Sequence, residues 1–153
     1  MDVSFINPFV SSTMTTYKNM LSVDIVPGAP FLKNKQPPTY DISGVIGLSG
    51  IAQGIIALGY SQDCAIKTIT RFVGGTATQP EIVDGIGELV NIVAGYAKKD
   101  LSKYELSISL PNVIIGKDHR VTTPTGVIAL VVPFDGPLGR FNMEVALITP
   151  KTA

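Results

Sequence analysis

Glu88 and Asn91 stand three residues apart in the run Asp84-Gly85-Ile86-Gly87-Glu88-Leu89-Val90-Asn91. On a helix advancing about 100° per residue, Ile86, Leu89, Val90, Val93, Ala94 and Ala97 gather on one broad apolar side. Asp84, Glu88, Asn91 and Gly95 then fall on the opposite side, within about 60° of one another. Residues at i and i+3 are surface neighbours, so the Glu88 carboxylate and the Asn91 amide reach one external point. An amide offers donors and an acceptor without carrying charge. The pattern by itself names no reaction, and solvation of an amphipathic helix accounts for it as well. Gly85, Gly87 and Gly95 each cost a helix about 1 kcal/mol relative to Ala, which suggests a packing or docking demand.

Other chemical constellations are weaker. The single His119 lies in the run IIGKDHRVTT, and the single Cys64 opens a helix. Neither has the spacing of a metal or nucleophile motif, so a solvated loop for His119 and a small, partly buried side chain for Cys64 are expected. No metal site is expected. Ser49 in GLSGI lacks the final glycine of a nucleophile elbow. Gly85-x-Gly87 fails as a dinucleotide fingerprint because Val90 takes the third glycine position and the run lies within a helix.

The 153 residues suit one domain, taken as 1–153. Twelve basic and twelve acidic side chains leave a formal charge of zero, which argues against non-specific nucleic-acid binding. Charged residues are only 16% of the chain and mean hydropathy is +0.33, so disorder is excluded. The uncharged stretch Ile42–Gln62 is long enough to span a bilayer. Its five glycines, three serines and two glutamines fit two strands and a turn better. No signal peptide is evident, and with one Cys there can be no intrachain disulfide, so a cytoplasmic location is expected.

The elements that must position the pair can be laid out along the chain. A first helix is expected from Asn7-Pro8, with Asn7 as cap and Phe9, Val10, Met14, Tyr17, Met20 and Leu21 as its apolar face. Four prolines between Pro27 and Pro38 imply an extended segment with Lys33 and Lys35 solvated. A hairpin follows over 40–49 and 53–60. A second helix opens at Ser61, buries Ala65, Ile66, Ile69, Phe72 and Val73, and stops at Gly74-Gly75. The linker TATQPE leads to the third helix, about 81–99, and strand-like runs cover 104–110, 125–133 and 140–148. The run ISLPNVIIG reads as a strand that Pro111 ends or bends. The whole reads as α+β with antiparallel pairing.

The run from Asp84 through Glu88 and Asn91 into IVAGYAKKDL resembles the signature helix of the CheC/CheX/FliY family of chemotaxis phosphatases, most closely the CheX branch. FINPF, DISGVIGLSG with AQGIIALGYS, SISLPNVIIG and GRFNMEVAL resemble the same branch, so the likeness covers nearly the whole chain. It implies an antiparallel sheet with long helices packed on one face. It also implies a phosphatase acting on the phospho-aspartyl group of a CheY-type receiver domain, with the Mg²⁺ held by the receiver and no cofactor of the chain's own. By that likeness Asn91 would orient the attacking water and Glu88 would dock on the receiver lysine. Asp84, Gly87, Gly95 and Lys98 are the further candidates for the docking surface. Homodimers through edge strands are implied too. A module that binds a receiver or a flagellar-switch component without catalysis would use the same fold.

Overall fold

A computed structural model describes residues 4–34, 36–123 and 126–149. Two helices, β-hairpin strands and a long third helix alternate in the order α1 (Ile6–Thr16), β1 (Val26–Pro27), β2 (Phe31–Leu32), β3 (Tyr40–Ser49), β4 (Gln53–Tyr60), α2 (Gln62–Val73), α3 (Gln79–Asp100), β5 (Ser107–Ile108), β6 (Asn112–His119), β7 (Ala129–Asp135) and β8 (Phe141–Ile148). Every strand pair is antiparallel. The central order is β7-β8-β4-β3. The short β1 and β2 line the free side of β7, and β5 and β6 line the free side of β3.

The stretch Ile42–Gln62 forms most of the β3–β4 hairpin and the entry to α2, as expected from its glycines and serines. No helix among the described residues is long and apolar enough to cross a membrane. Successive strand residues point to opposite faces, so Ile42, Ile46 and Leu48 of β3 and Ile56, Leu58 and Tyr60 of β4 join the main core. All three helices contribute to that same core, with Ile69 from α2 and Ile86, Leu89 and Val93 from α3. Phe141 of β8 is its aromatic centre. Tyr17, Tyr60 and Phe134 stack on it at centroid distances of 4.9, 5.0 and 5.3 Å. The Tyr17 and Tyr60 hydroxyls bond each other at 2.7 Å, which satisfies two buried polar atoms and ties the helical N-terminus to the sheet.

The helix boundaries follow from local chemistry. Ser61 caps α2 by accepting from the Cys64 N–H, and Gly74 closes it in the left-handed conformation at φ 80°. α3 starts two residues before the expected 81. Thr78 and Glu81 form a reciprocal capping box, a T-x-x-E signal carried by TATQPE itself. The Thr78 N–H and the Thr78 hydroxyl both donate to the Glu81 carboxylate and hold it below its ordinary pKa.

Five expectations need correction. α1 begins at Ile6 without a side-chain cap, and Asn7 lies exposed inside it. Its buried side is turned toward Ser12, Thr13 and Thr16, while Met14 and Met20 are exposed. The three hydroxyls bond back to the carbonyls of Pro8, Phe9 and Ser12, so their burial leaves no unmet donor. Five residues of π-helix, Tyr17–Leu21, then extend α1. In α2, Ile66 and Val73 are exposed rather than buried. The expected strand 104–110 is reduced to Ser107–Ile108, and beyond Pro111 the chain pairs with β3 again as β6. The expected 125–133 strand begins at Ala129, and residues 124 and 125 lie outside the described residues.

Lys33 is the fifth correction. It is buried on the reverse face of the sheet, with Nζ 2.7 Å from Glu144 Oε1 and donating to the Val121 carbonyl. Tyr40 donates to the other Glu144 oxygen at 2.5 Å. Burial first, then the Glu144 carboxylate, pushes the Tyr40 phenol far above its ordinary pKa and keeps it a donor. Lys35 lies outside the described residues.

Tyr17→Phe should cost about 1–3 kcal/mol in urea unfolding, because it leaves the Tyr60 hydroxyl buried beside an apolar ring edge. Tyr17→Phe with Tyr60→Phe should cost less than the two single changes added together, since the double change leaves no orphan.

Candidate functional site

α3 presents two unlike sides. Ile82, Ile86, Leu89, Val90, Val93, Ala94 and Ala97 are buried against β3 and the neighbouring helices. Gly44 in the middle of β3 allows that approach. A Cβ built there would lie 3.0–3.1 Å from Val90 Cγ1, Ile86 Cγ2 and the Ile86 carbonyl. Backbone and helix therefore meet where any side chain would push them apart.

The opposite side carries the expected residues. Asp84 and Glu88 are exposed, and Asn91 and Gly95 are partly exposed one and two turns on. Neither the Glu88 nor the Asn91 side chain has a hydrogen bond or ion pair with any other described residue. At i and i+3 their Cβ atoms lie about 5–6 Å apart. The site is thus an unpaired carboxylate and an unpaired amide, fixed in direction by a helix that cannot roll. Gly95 has open space where a Cβ would stand, and Lys98 is exposed in the last turn.

Gly87 does not share that face. It is buried under Pro111 and Val113, where a Cβ would make only ordinary contacts at 3.4–3.8 Å. Gly85 is buried too, because a Cβ there would lie 2.6 Å from Ile69 of α2. Among the described residues no three His, Cys, Asp or Glu side chains converge as a metal cage.

An antiparallel sheet with its helices on one face, and a carboxylate–x–x–amide pair turned outward from the long helix, defines an α+β protein of the CheC-like class. A CheC-like superfamily protein from Shewanella sp. PV-4 superposes with a TM-score of 0.88 at 30% identity, covering 97% of this chain and 99% of that one. Residues 42–135 match the sequence profile of the chemotaxis phosphatase CheX, and the chain belongs to that family. The CheY-P phosphatase CheX of Thermotoga maritima is 25% identical over 126 residues, 79% of this chain and 81% of that protein. A CheX–CheY–BeF3–Mg²⁺ complex from Borrelia burgdorferi shares the fold, with a TM-score of 0.82 at 24% identity over 95% of this chain and 99% of that one.

The residual candidates are structural. His119 is no solvated loop residue, because it ends β6 and is partly buried. Its Nδ1 lies 2.7 Å from the Gly116 carbonyl, and its Nε2 lies 2.7 Å from Ser43 Oγ. Nδ1–H donates to the carbonyl, so Nε2 accepts from the Ser43 hydroxyl. That hydroxyl belongs to a residue with 0% exposure, so no substrate reaches it as a nucleophile.

Cys64 is buried, more completely than the partial burial expected, and burial pushes its thiol pKa up. The thiolate is the reactive form, so the folded protein should resist alkylation near neutral pH. Iodoacetamide should modify Cys64 at the rate of unfolding, and the rate should rise steeply through the urea transition.

Proposed function

We propose that this protein is a single-domain phosphatase that hydrolyses the aspartyl phosphate of a CheY-type receiver. The observation that carries the proposal is the Glu88–Asn91 pair on α3, Glu88 exposed and Asn91 partly so, with no side-chain partner among the described residues, in a chain of the chemotaxis phosphatase family. α3 docks across the receiver's phosphorylation site. Glu88 pairs with the receiver's lysine there and fixes the register of the helix. The Asn91 amide oxygen accepts a hydrogen from water and points the water's lone pair at phosphorus, in line with the bond to aspartate. As the water oxygen bonds to phosphorus, the bond to the aspartyl oxygen breaks. Inorganic phosphate and a free carboxylate result. An amide suits the task because it does not bring a second negative charge to the phosphoryl group. Mg²⁺ belongs to the receiver, and the reaction takes place in the cytoplasm, where receivers work.

Asp84, Gly95 and Lys98 complete the outer docking face. Gly95 lets the receiver surface approach closely, and the acidic and basic ends of the helix set its direction. Gly87 acts from beneath by accepting Pro111 and Val113 of the sheet edge.

Asn91→Ala should slow dephosphorylation about a hundredfold or more. Its binding to a beryllofluoride-loaded receiver should fall much less. Glu88→Ala should weaken binding and rate together and flatten the dependence on salt. A wild-type rate for Asn91→Ala removes the mechanism, and binding by the wild-type protein without turnover favours the non-catalytic module.

The reading includes a homodimer through the β6 edge. β6 pairs with β3 on one side, its other side is unpaired among the described residues, and Ile114 and Ile115 are exposed along it, with Leu110 exposed just before it. A long apolar edge left open invites further strand pairing. The wild-type protein should sediment as a dimer and Ile115→Lys as a monomer, since a charge on the edge blocks pairing. A monomeric wild-type protein at micromolar concentration overturns this part.

A further inference from the structure

Beside Glu88, on the side away from Asn91, the C-terminal end of α2 and the first turns of α3 enclose an open groove of about 280 Å³. Phe72, Val73 and Gly85 line it with apolar surface, and Glu81, Asp84 and Glu88 stand along it. It is shallow and slightly below the roughly 300–1,000 Å³ usual for small-molecule sites, a size that fits one inserted side chain better than a cofactor.

Its charge is one-sided. Three carboxylates border it and no Lys or Arg does. Asp84 and Glu88 have no ion pair among the described residues, and Glu81 is engaged only with Thr78. The basic residue of the last turn of α2, Arg71, is turned away and donates to the Leu21 carbonyl at 2.8 Å. α2 ends at the groove, so the negative end of its dipole adds to the field of the carboxylates. The floor is also incompletely covered, with Val73 44% exposed. An apolar side chain accompanied by a cation is the complement of such a surface.

We infer that this groove is a second recognition site for the receiver: it takes an apolar side chain next to a basic one, from the receiver segment that flanks the lysine docked on Glu88. The inference rests on the receiver-phosphatase reading, because Glu88 is the point shared by the groove and the reacting pair. Asn91 and Glu88 face chemistry common to all receivers, an aspartyl phosphate and its lysine. The groove faces sequence outside that common centre, so it distinguishes one receiver from another. The apolar side chain rests on Phe72 and Val73, and the cation meets Asp84.

The test uses the intact protein and the beryllofluoride- and Mg²⁺-loaded receiver that the wild-type protein dephosphorylates fastest among the receivers of its host. Val73→Asp charges the floor and Asp84→Lys inverts the border. Both positions are exposed, so circular dichroism and urea midpoints should match the wild type. Each change should weaken receiver binding about tenfold, with the loss carried by KM. Asp84→Lys should bind better again when one basic residue beside the receiver's lysine is changed to Glu. Ile66→Asp, on the same helix but outside the groove, should bind as the wild type does.

Binding within about twofold of wild type for both Val73→Asp and Asp84→Lys, with wild-type turnover intact, overturns the groove and leaves the phosphatase standing. An equal loss for Ile66→Asp overturns it as well, since the effect is then one of added charge alone. A wild-type protein that neither binds nor dephosphorylates any receiver of the panel overturns both readings.

Discussion

Burial of one side of α3 against β3 is the contact on which the rest depends. Ile86, Leu89, Val90 and Val93 are fully buried, and each contributes about 1.5–3 kcal/mol as an upper estimate. The glycines at 85, 87 and 95 cost the helix about 1 kcal/mol apiece, so packing outweighs their poor propensity. Two of the three glycines face neighbours inside the protein, at Ile69 and at Pro111 with Val113. Once the apolar side is seated, the helix cannot rotate without exposing it. Glu88 and Asn91 are held outward by that constraint and need no bonds of their own.

Leaving both side chains unpaired has a physical use. A carboxylate already in a salt bridge would have to give it up to meet a cation on a partner. An amide already hydrogen-bonded would have to break that bond to orient water. At Glu88 and Asn91 the outer face of α3 stores no such competing interactions among the described residues, and its orientation is fixed by the core instead. Pre-organisation of this kind lowers the cost of docking without adding contacts to the free protein.

The reverse face of the sheet solves a different problem. Ala57 and Val121 with Tyr40 form only a small apolar cluster there. Glu144 is buried beside them, and its carboxylate is met by Lys33 and by the Tyr40 hydroxyl. Removing one partner from such a pair would leave an uncompensated buried charge, which costs far more than the pair itself contributes. The network fastens the proline-rich segment before β3 to the central strand β8. Asp41, the residue after Tyr40, does comparable work at the same end of β3. It accepts the Gln62 and Asp118 N–H groups, and these bonds lower its pKa.

Much of this was legible in the residue order. The β3–β4 hairpin follows from apolar runs broken by Gly50, the limits of α2 from Ser61 and Gly74, and the outward stripe of α3 from helical spacing. Those features are local, and local chemistry decides them. The rotation of α1 was not legible, because buried Ser and Thr look polar until their hydroxyls find backbone carbonyls within the helix. Nor were the pairing of Lys33 with Glu144, of His119 with Ser43, or of Phe72 and Val73 with the acidic side of α3. Each joins residues of different elements, so no spacing within one element announces it. Amphipathic periodicity assigns Glu88 and Asn91 to one exposed stripe, so residue order already says which side chains can act. What stands beside them depends on burial and neighbouring charge, which belong to the packed sheet and helices and not to any one segment.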